Sequence, residues 1–154
     1  MKDTLQETNI GESAAQKSSE SVAIELGKLL TSHKGGGAVV MDMRRLNFWT
    51  DFFVIATVTS STHLSGLDRH IKDYVYGNGL EILRRSGKPT VDDEWILIDM
   101  GDIVIHLMTA RARSFFELER LWSSASFIYE DPDTEKPNTE VLSDESASYS
   151  SKSS

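Results

Sequence analysis

The chain has 154 residues, 24 acidic against 16 basic side chains, and no cysteine. That length suits one domain with a real core, and the lack of cysteine excludes a disulfide framework, a thiolate metal site and a thiol nucleophile. The formal charge of −8 argues, as an average, against a nucleic-acid partner.

The charge is unevenly placed. Residues 1–20 hold four acids and two bases, residues 130–154 hold seven and two, and residues 21–129 carry only −1. No run of about 18 apolar residues is present to span a bilayer. The first twenty residues lack the apolar stretch of a secretory signal and are too acidic for a transit peptide, so a cytoplasmic location is expected. Residues 1–12 read as a flexible N-terminus and 13–130 as the domain. In 131–154 only Val141, Leu142, Ala147 and Tyr149 could join a core. This acidic, Ser-rich tail cannot offset its ordering entropy and is expected to be disordered.

Ser13-Ala-Ala-Gln16 fits a capping box opening a helix, and Val22, Leu26, Leu29 and Leu30 continue at helical spacing. His33-Lys34 and the glycines 35–37 end it. Ala38–Met43 reads as a buried strand. Phe52–Val58, β-branched and aromatic with no proline, reads as a second. Ser60 and Ser61 offer N-caps to a helix whose apolar face is Leu64, Leu67, Ile71, Tyr74 and Val75, stopped by Gly77 and Gly79. Leu80–Arg84 reads as a third strand, and Ser86–Asp93 as a polar loop. Glu94–Asp99 and Asp102–Met108 are strand-like and separated only by Met100-Gly101, which implies a tight hairpin. In that register Asp99 faces Asp102, Leu97 faces Val104 and Trp95 faces His106. Alternation puts Ile96, Ile98, Ile103, Ile105 and Leu107 on the core face, and Trp95, Leu97, Val104, His106 and Met108 on the other. A third helix, roughly Ala112–Ser123, carries Phe115, Leu118 and Trp122 on one stripe with Phe116 beside it. The order predicts an α/β fold, with a mixed sheet of about five strands and flanking helices.

Candidate chemistry is sparse. Asp42, Asp51, Asp99 and Asp102 sit at strand ends, where clustered acids can hold magnesium. Asp99 and Asp102, however, are split by the turn and lack the same-face spacing of an Asp-x-Asp pair, and turn duty suits them. His63 and His70 share a helix face two turns apart, too far for one metal. Val58-Thr59-Ser60-Ser61 lacks the glycines and lysine of a P-loop. Arg44-Arg45, Arg84-Arg85 and Arg111/Arg113 could meet phosphates or solvent. No cofactor is implied. The second face of the hairpin admits two readings: covered by a helix of the same domain, or exposed to a partner.

Three stretches carry a resemblance in their order and spacing. They are Met41-Asp-Met-Arg-Arg-Leu46 with Asp51-Phe-Phe-Val-Ile-Ala-Thr57 and Thr59-Ser-Ser61, then Glu94-Trp-Ile-Leu-Ile-Asp99 with Gly101-Asp102-Ile-Val-Ile-His106, then Phe115-Phe-Glu-Leu-Glu-Arg-Leu-Trp122. Together they resemble the ribosomal silencing factor, or Iojap-like, family over about Ser21 to Trp122. The resemblance implies a nucleotidyltransferase-like topology with no enzymatic role. It implies a partner on the large ribosomal subunit, the intersubunit-face ribosomal protein fourteen, with blocked joining of the small subunit and repressed translation. It also implies a docking face around the late strands, with Trp95 as anchor and Met100, His106 and Met108 in the same motif; Leu97 joins them on the hairpin face read above. No sequence-specific nucleic acid and no membrane are implied, and a homodimer stays open. The sequence departs from the family in Val58, where glycine is usual, in Thr62, where arginine is usual, and in the tail. The alternatives are a magnesium-dependent nucleotidyltransferase using Asp42, Asp99 and Asp102, and a large-subunit assembly factor.

Overall fold

The computed structural model describes residues 17–46, 48–86 and 94–132. The flexible N-terminus, the capping box at Ser13–Gln16, the loop from Gly87 to Asp93 and the tail beyond Pro132 lie outside the described residues. The first helix, α1 (Ser19–Ser32), starts later than the expected Ser13, with Ser18 accepting a hydrogen bond from the Ser21 amide as N-cap. Next come β1 (Gly36–Asp42), a 3₁₀ turn at Arg44–Leu46 and β2 (Phe52–Val58). Then follow α2 (Ser61–Gly77), β3 (Arg84–Ser86), β4 (Trp95–Asp99) and β5 (Ile103–Thr109). The described residues close with α3 (Ala110–Phe116), α4 (Leu118–Leu121) and β6 (Ser126–Glu130).

The fold is α/β, as expected, with six strands among the described residues rather than about five, in the order β3-β4-β5-β2-β1-β6. Among the described strands only β2 and β5 run parallel; every other pair is antiparallel. A parallel pair needs a crossover, and α2 with the β3–β4 hairpin provides it. The added strand, β6, pairs on the outer edge of β1. The third strand is shorter and later than Leu80–Arg84, and Leu83 lies exposed in the approach to it.

Alternation along the strands sorts the side chains into two layers. One face presents Val40, Val54, Ile98 and Ile105 to Leu26 and Leu30 of α1 and to Leu67 and Ile71 of α2. Every one of these eight is fully or almost fully buried, and each such aliphatic contributes about 1.5–3 kcal/mol. The contact is close. A Cβ on Gly27 would sit 2.8 Å from Val40 Cγ2 and 2.9 Å from Tyr129 Cδ2, so glycine is what lets α1 lie down on β1 and β6. The other face holds Val39, Met41, Phe53, Ile55, Val104 and Met108, covered by Ala112, Leu118, Phe48 and Trp122.

Candidate docking surface

The hairpin that carries the expected site is built differently at its turn. Asp99 pairs with Val104, Leu97 with His106 and Trp95 with Met108, two residues from the expected register. The turn therefore spans the four residues Met100–Ile103, with Ile103 already opening β5, and is closed by the Met100 amide donating to the Ile103 carbonyl at 2.8 Å. Asp99 Oδ1 accepts from the Gly101 amide at 2.8 Å, and Gly101 takes a positive φ of 93° that favours glycine. The Asp102 carbonyl accepts from the amides of Asp51 and Phe52, both at 3.0 Å, which ties the turn to the start of β2. A slip of two residues preserves side-chain alternation. The assignment of residues to faces therefore holds although the pairing does not.

Of the five residues expected to meet a partner, only two lie at the surface of one face. Trp95 and Leu97 are half-buried on the second face. Met108 is 0% exposed and His106 is 3% exposed; both lie under that surface and cannot be reached directly. Met100 is half-buried against the opposite layer. The broad exposed hairpin face is thus corrected to a narrow strip, because α3, α4 and the Phe48 region close over the rest.

The covering element is itself broken. The sequence predicts one helix over Ala112–Ser123, but Glu117 adopts the left-handed conformation (φ 44°) and divides it into α3 and α4. Thr109 caps α3, accepting from the Ala112 amide at 3.1 Å. Arg113 pins the corner. It donates to the carbonyls of Gly36 (2.9 Å) and Gly37 (2.7 Å), to Thr57 Oγ1 (3.0 Å) and to Glu119 Oε2 (2.6 Å). The break turns Leu118 inward and leaves Phe115 77%, Phe116 46% and Leu121 66% exposed. Phe116 packs on Trp95 with ring centres 4.7 Å apart, and Phe115 lies edge-on to Phe116 at 4.9 Å. Phe115, Phe116 and Leu121 line a shallow cleft with Glu117 and Arg120. Sequence reasoning placed Phe115 on a core stripe, and no local signal marks Glu117 as the breaking point.

Most of the polar residues weighed above have structural partners. Asp42 accepts from Arg44, which holds its carboxyl below the usual range. Asp99 faces Arg84, and Asp102 accepts from Ser19 Oγ at 2.9 Å. Among the described residues no three acids and histidines gather as a metal site would require. His70 stacks on His33 with ring centres 3.5 Å apart, and His63 donates from Nε2 to the His33 carbonyl. The Thr59 amide donates to the other nitrogen of His63, Nδ1. Arg44, Arg84, Arg85, Arg111 and Arg113 all stand in ion pairs. No described helix is long and apolar enough to cross a membrane.

A narrow aromatic strip on a mixed sheet, with no metal cluster among the described residues, is the geometry to set beside known proteins. Residues 16–154 match the family model described as "Ribosomal silencing factor during starvation". The chain belongs to the ribosomal silencing factor family. It is 31% identical over 105 residues to the ribosomal silencing factor of Treponema pallidum, covering 68% of this chain and 93% of that one. It is 32% identical over 106 residues to the chloroplastic protein Iojap of Arabidopsis thaliana, covering 69% of this chain and 43% of that one. The chain thus spans nearly all of the bacterial relative and less than half of the plant one. A crystal structure of a protein from Chromobacterium violaceum superposes with a TM-score of 0.58 at 24% identity, over 72% of this chain and 93% of that one, which speaks to the fold. Family membership agrees with the resemblance read from the three sequence stretches.

Proposed function

We propose that the protein is a ribosome-associated repressor of translation that docks on the large subunit at the intersubunit-face ribosomal protein fourteen and hinders joining of the small subunit. The observation that carries this reading is the continuous apolar strip of Trp95, Leu97, Phe116, Phe115 and Leu121. A soluble domain rarely leaves aromatics grouped in this way unless they meet a partner. Tryptophan at the centre of such a strip is a typical binding hot spot. A standard interface buries roughly 800 Å² per partner, which the strip and its charged rim of Glu94, Arg111, Glu117 and Arg120 can supply. The relatives named as ribosomal silencing factors support the same partner. No chemical step is required; bulk on the intersubunit face is sufficient.

The test is subunit joining on density gradients with purified protein. Addition of the wild-type protein should reduce full ribosomes and leave free large subunits carrying it. Trp95→Ala should weaken that association by about 2 kcal/mol or more, roughly thirtyfold. Equal formation of full ribosomes with and without the protein would end the silencing reading. Wild-type affinity in a folded Trp95→Ala variant would end the assignment of the anchor.

A further inference from the structure

Beneath the strip lies a group that the docking surface does not itself explain. The indole N–H of Trp95 donates to His106 Nδ1 at 3.0 Å. With Nδ1 accepting, the proton of the neutral imidazole sits on Nε2, and Nε2 is buried with no hydrogen-bond partner among the described residues. Burial holds His106 at about 4, so the ring is neutral at physiological pH. Phe53 packs against it edge-to-face, ring centres 4.5 Å apart. An orphaned buried N–H is costly. A leucine at this position, facing Leu97 across the hairpin, would avoid that cost. What the imidazole offers and leucine does not is the inward acceptor for Trp95.

We propose that His106 is a positioning residue: it touches no partner, and through its Nδ1 it fixes the Trp95 indole in the orientation that docks. The hold has two sides, the hydrogen bond from below and Phe116 against the ring at 4.7 Å. Its benefit is preorganisation. The indole N–H is already satisfied inside the protein, so docking neither buries an unmet donor nor freezes a free rotamer. The ring then offers the partner a purely apolar surface. This inference rests on the docking reading, and it accounts for a buried histidine in a motif whose surface residues it does not join.

Two substitutions separate positioning from packing. His106→Asn keeps an acceptor oxygen near the place of Nδ1 but leaves a void, so it should lower the melting temperature. It should keep the Trp95 indole proton resonance near its wild-type shift and hold large-subunit affinity within about threefold. His106→Leu keeps the apolar volume and removes the acceptor. It should shift that resonance and weaken affinity about tenfold, the scale of one lost hydrogen bond. Trp95→Phe removes the donor instead, leaves position 106 untouched and should show a similar loss, so the proposal stays testable if either His106 variant misfolds. Affinities that follow melting temperature rather than the presence of an acceptor would overturn the proposal. So would an unshifted indole resonance in His106→Leu, or wild-type affinity in Trp95→Phe. Wild-type affinity in Trp95→Ala would sink the docking reading instead, while the resonances still report whether His106 holds the indole.

Discussion

One face of the sheet lies under helices of 14 and 17 residues, the other under helices of seven and four. The long pair lays continuous aliphatic stripes over β1, β2 and β5 and buries them completely. The short pair, divided at Glu117, covers Met41, Phe53, Ile55 and Met108 but leaves Phe115, Phe116 and Leu121 outside and Trp95 half out. Both faces are mainly apolar at the strands. What separates a sealed face from a partly open one is the length of the cover, because four residues of helix make only about one turn.

That contrast can be broken from either side. The largest effect is expected on the closed face. Leu26→Ala should cost about 2–5 kcal/mol in denaturant unfolding and leave large-subunit binding unchanged at temperatures where the variant is folded. Loss of binding without loss of stability there would erase the division of labour between the faces.

Acid should act through the open face. His106 is neutral in the folded chain at pH values where an unfolded histidine takes up a proton. Its contribution is therefore complete above about 6.5 and is lost as pH falls from there toward about 4. The full loss is on the order of 3 kcal/mol. Because His33 is also held low, by burial first and by His70 second, the measurement is the difference between wild type and His106→Leu across this window. Equal pH dependence in the two proteins would contradict the burial of a neutral His106.

A smaller effect tests the break in the cover. Glu117→Gly relieves a left-handed conformation and should stabilise by up to about 1 kcal/mol, read as a higher melting temperature. Destabilisation would mean that residues 112–123 prefer one continuous helix in solution. Smallest of all, Phe115→Ser should change stability by less than about 0.5 kcal/mol, because the ring is mostly in solvent, while reducing large-subunit association on gradients. A large drop in stability would place Phe115 in the core, as its sequence spacing suggests.

How far the sequence could be read depended on how local the controlling interactions are. The strand Phe52–Val58 and the α2 face of Leu64, Leu67, Ile71 and Val75 were legible because an apolar period belongs to the segment itself. The face assignment of the hairpin was legible for the same reason. Its pairing was not, since the four-residue turn depends on Asp99 capping Gly101 and on Asp102 bonding to β2. The strand Ser126–Glu130 was missed because it forms by pairing with an edge of β1 and is mostly exposed.

The candidate site shows the same limit more sharply. The motif around Trp95 and the three stretches that place the chain in its family were visible in the residues alone, as was the confinement of most of the −8 charge to the two ends. Which motif residues reach the surface was decided only by tertiary structure. Trp95 and Leu97 remain at the surface, Met100 turns to the opposite layer, and His106 and Met108 are sealed beneath. Alternation along a strand determines which face a side chain takes. Only the elements that pack over that face, here two short helices pinned by Arg113, determine whether it ends as core, as support or as surface.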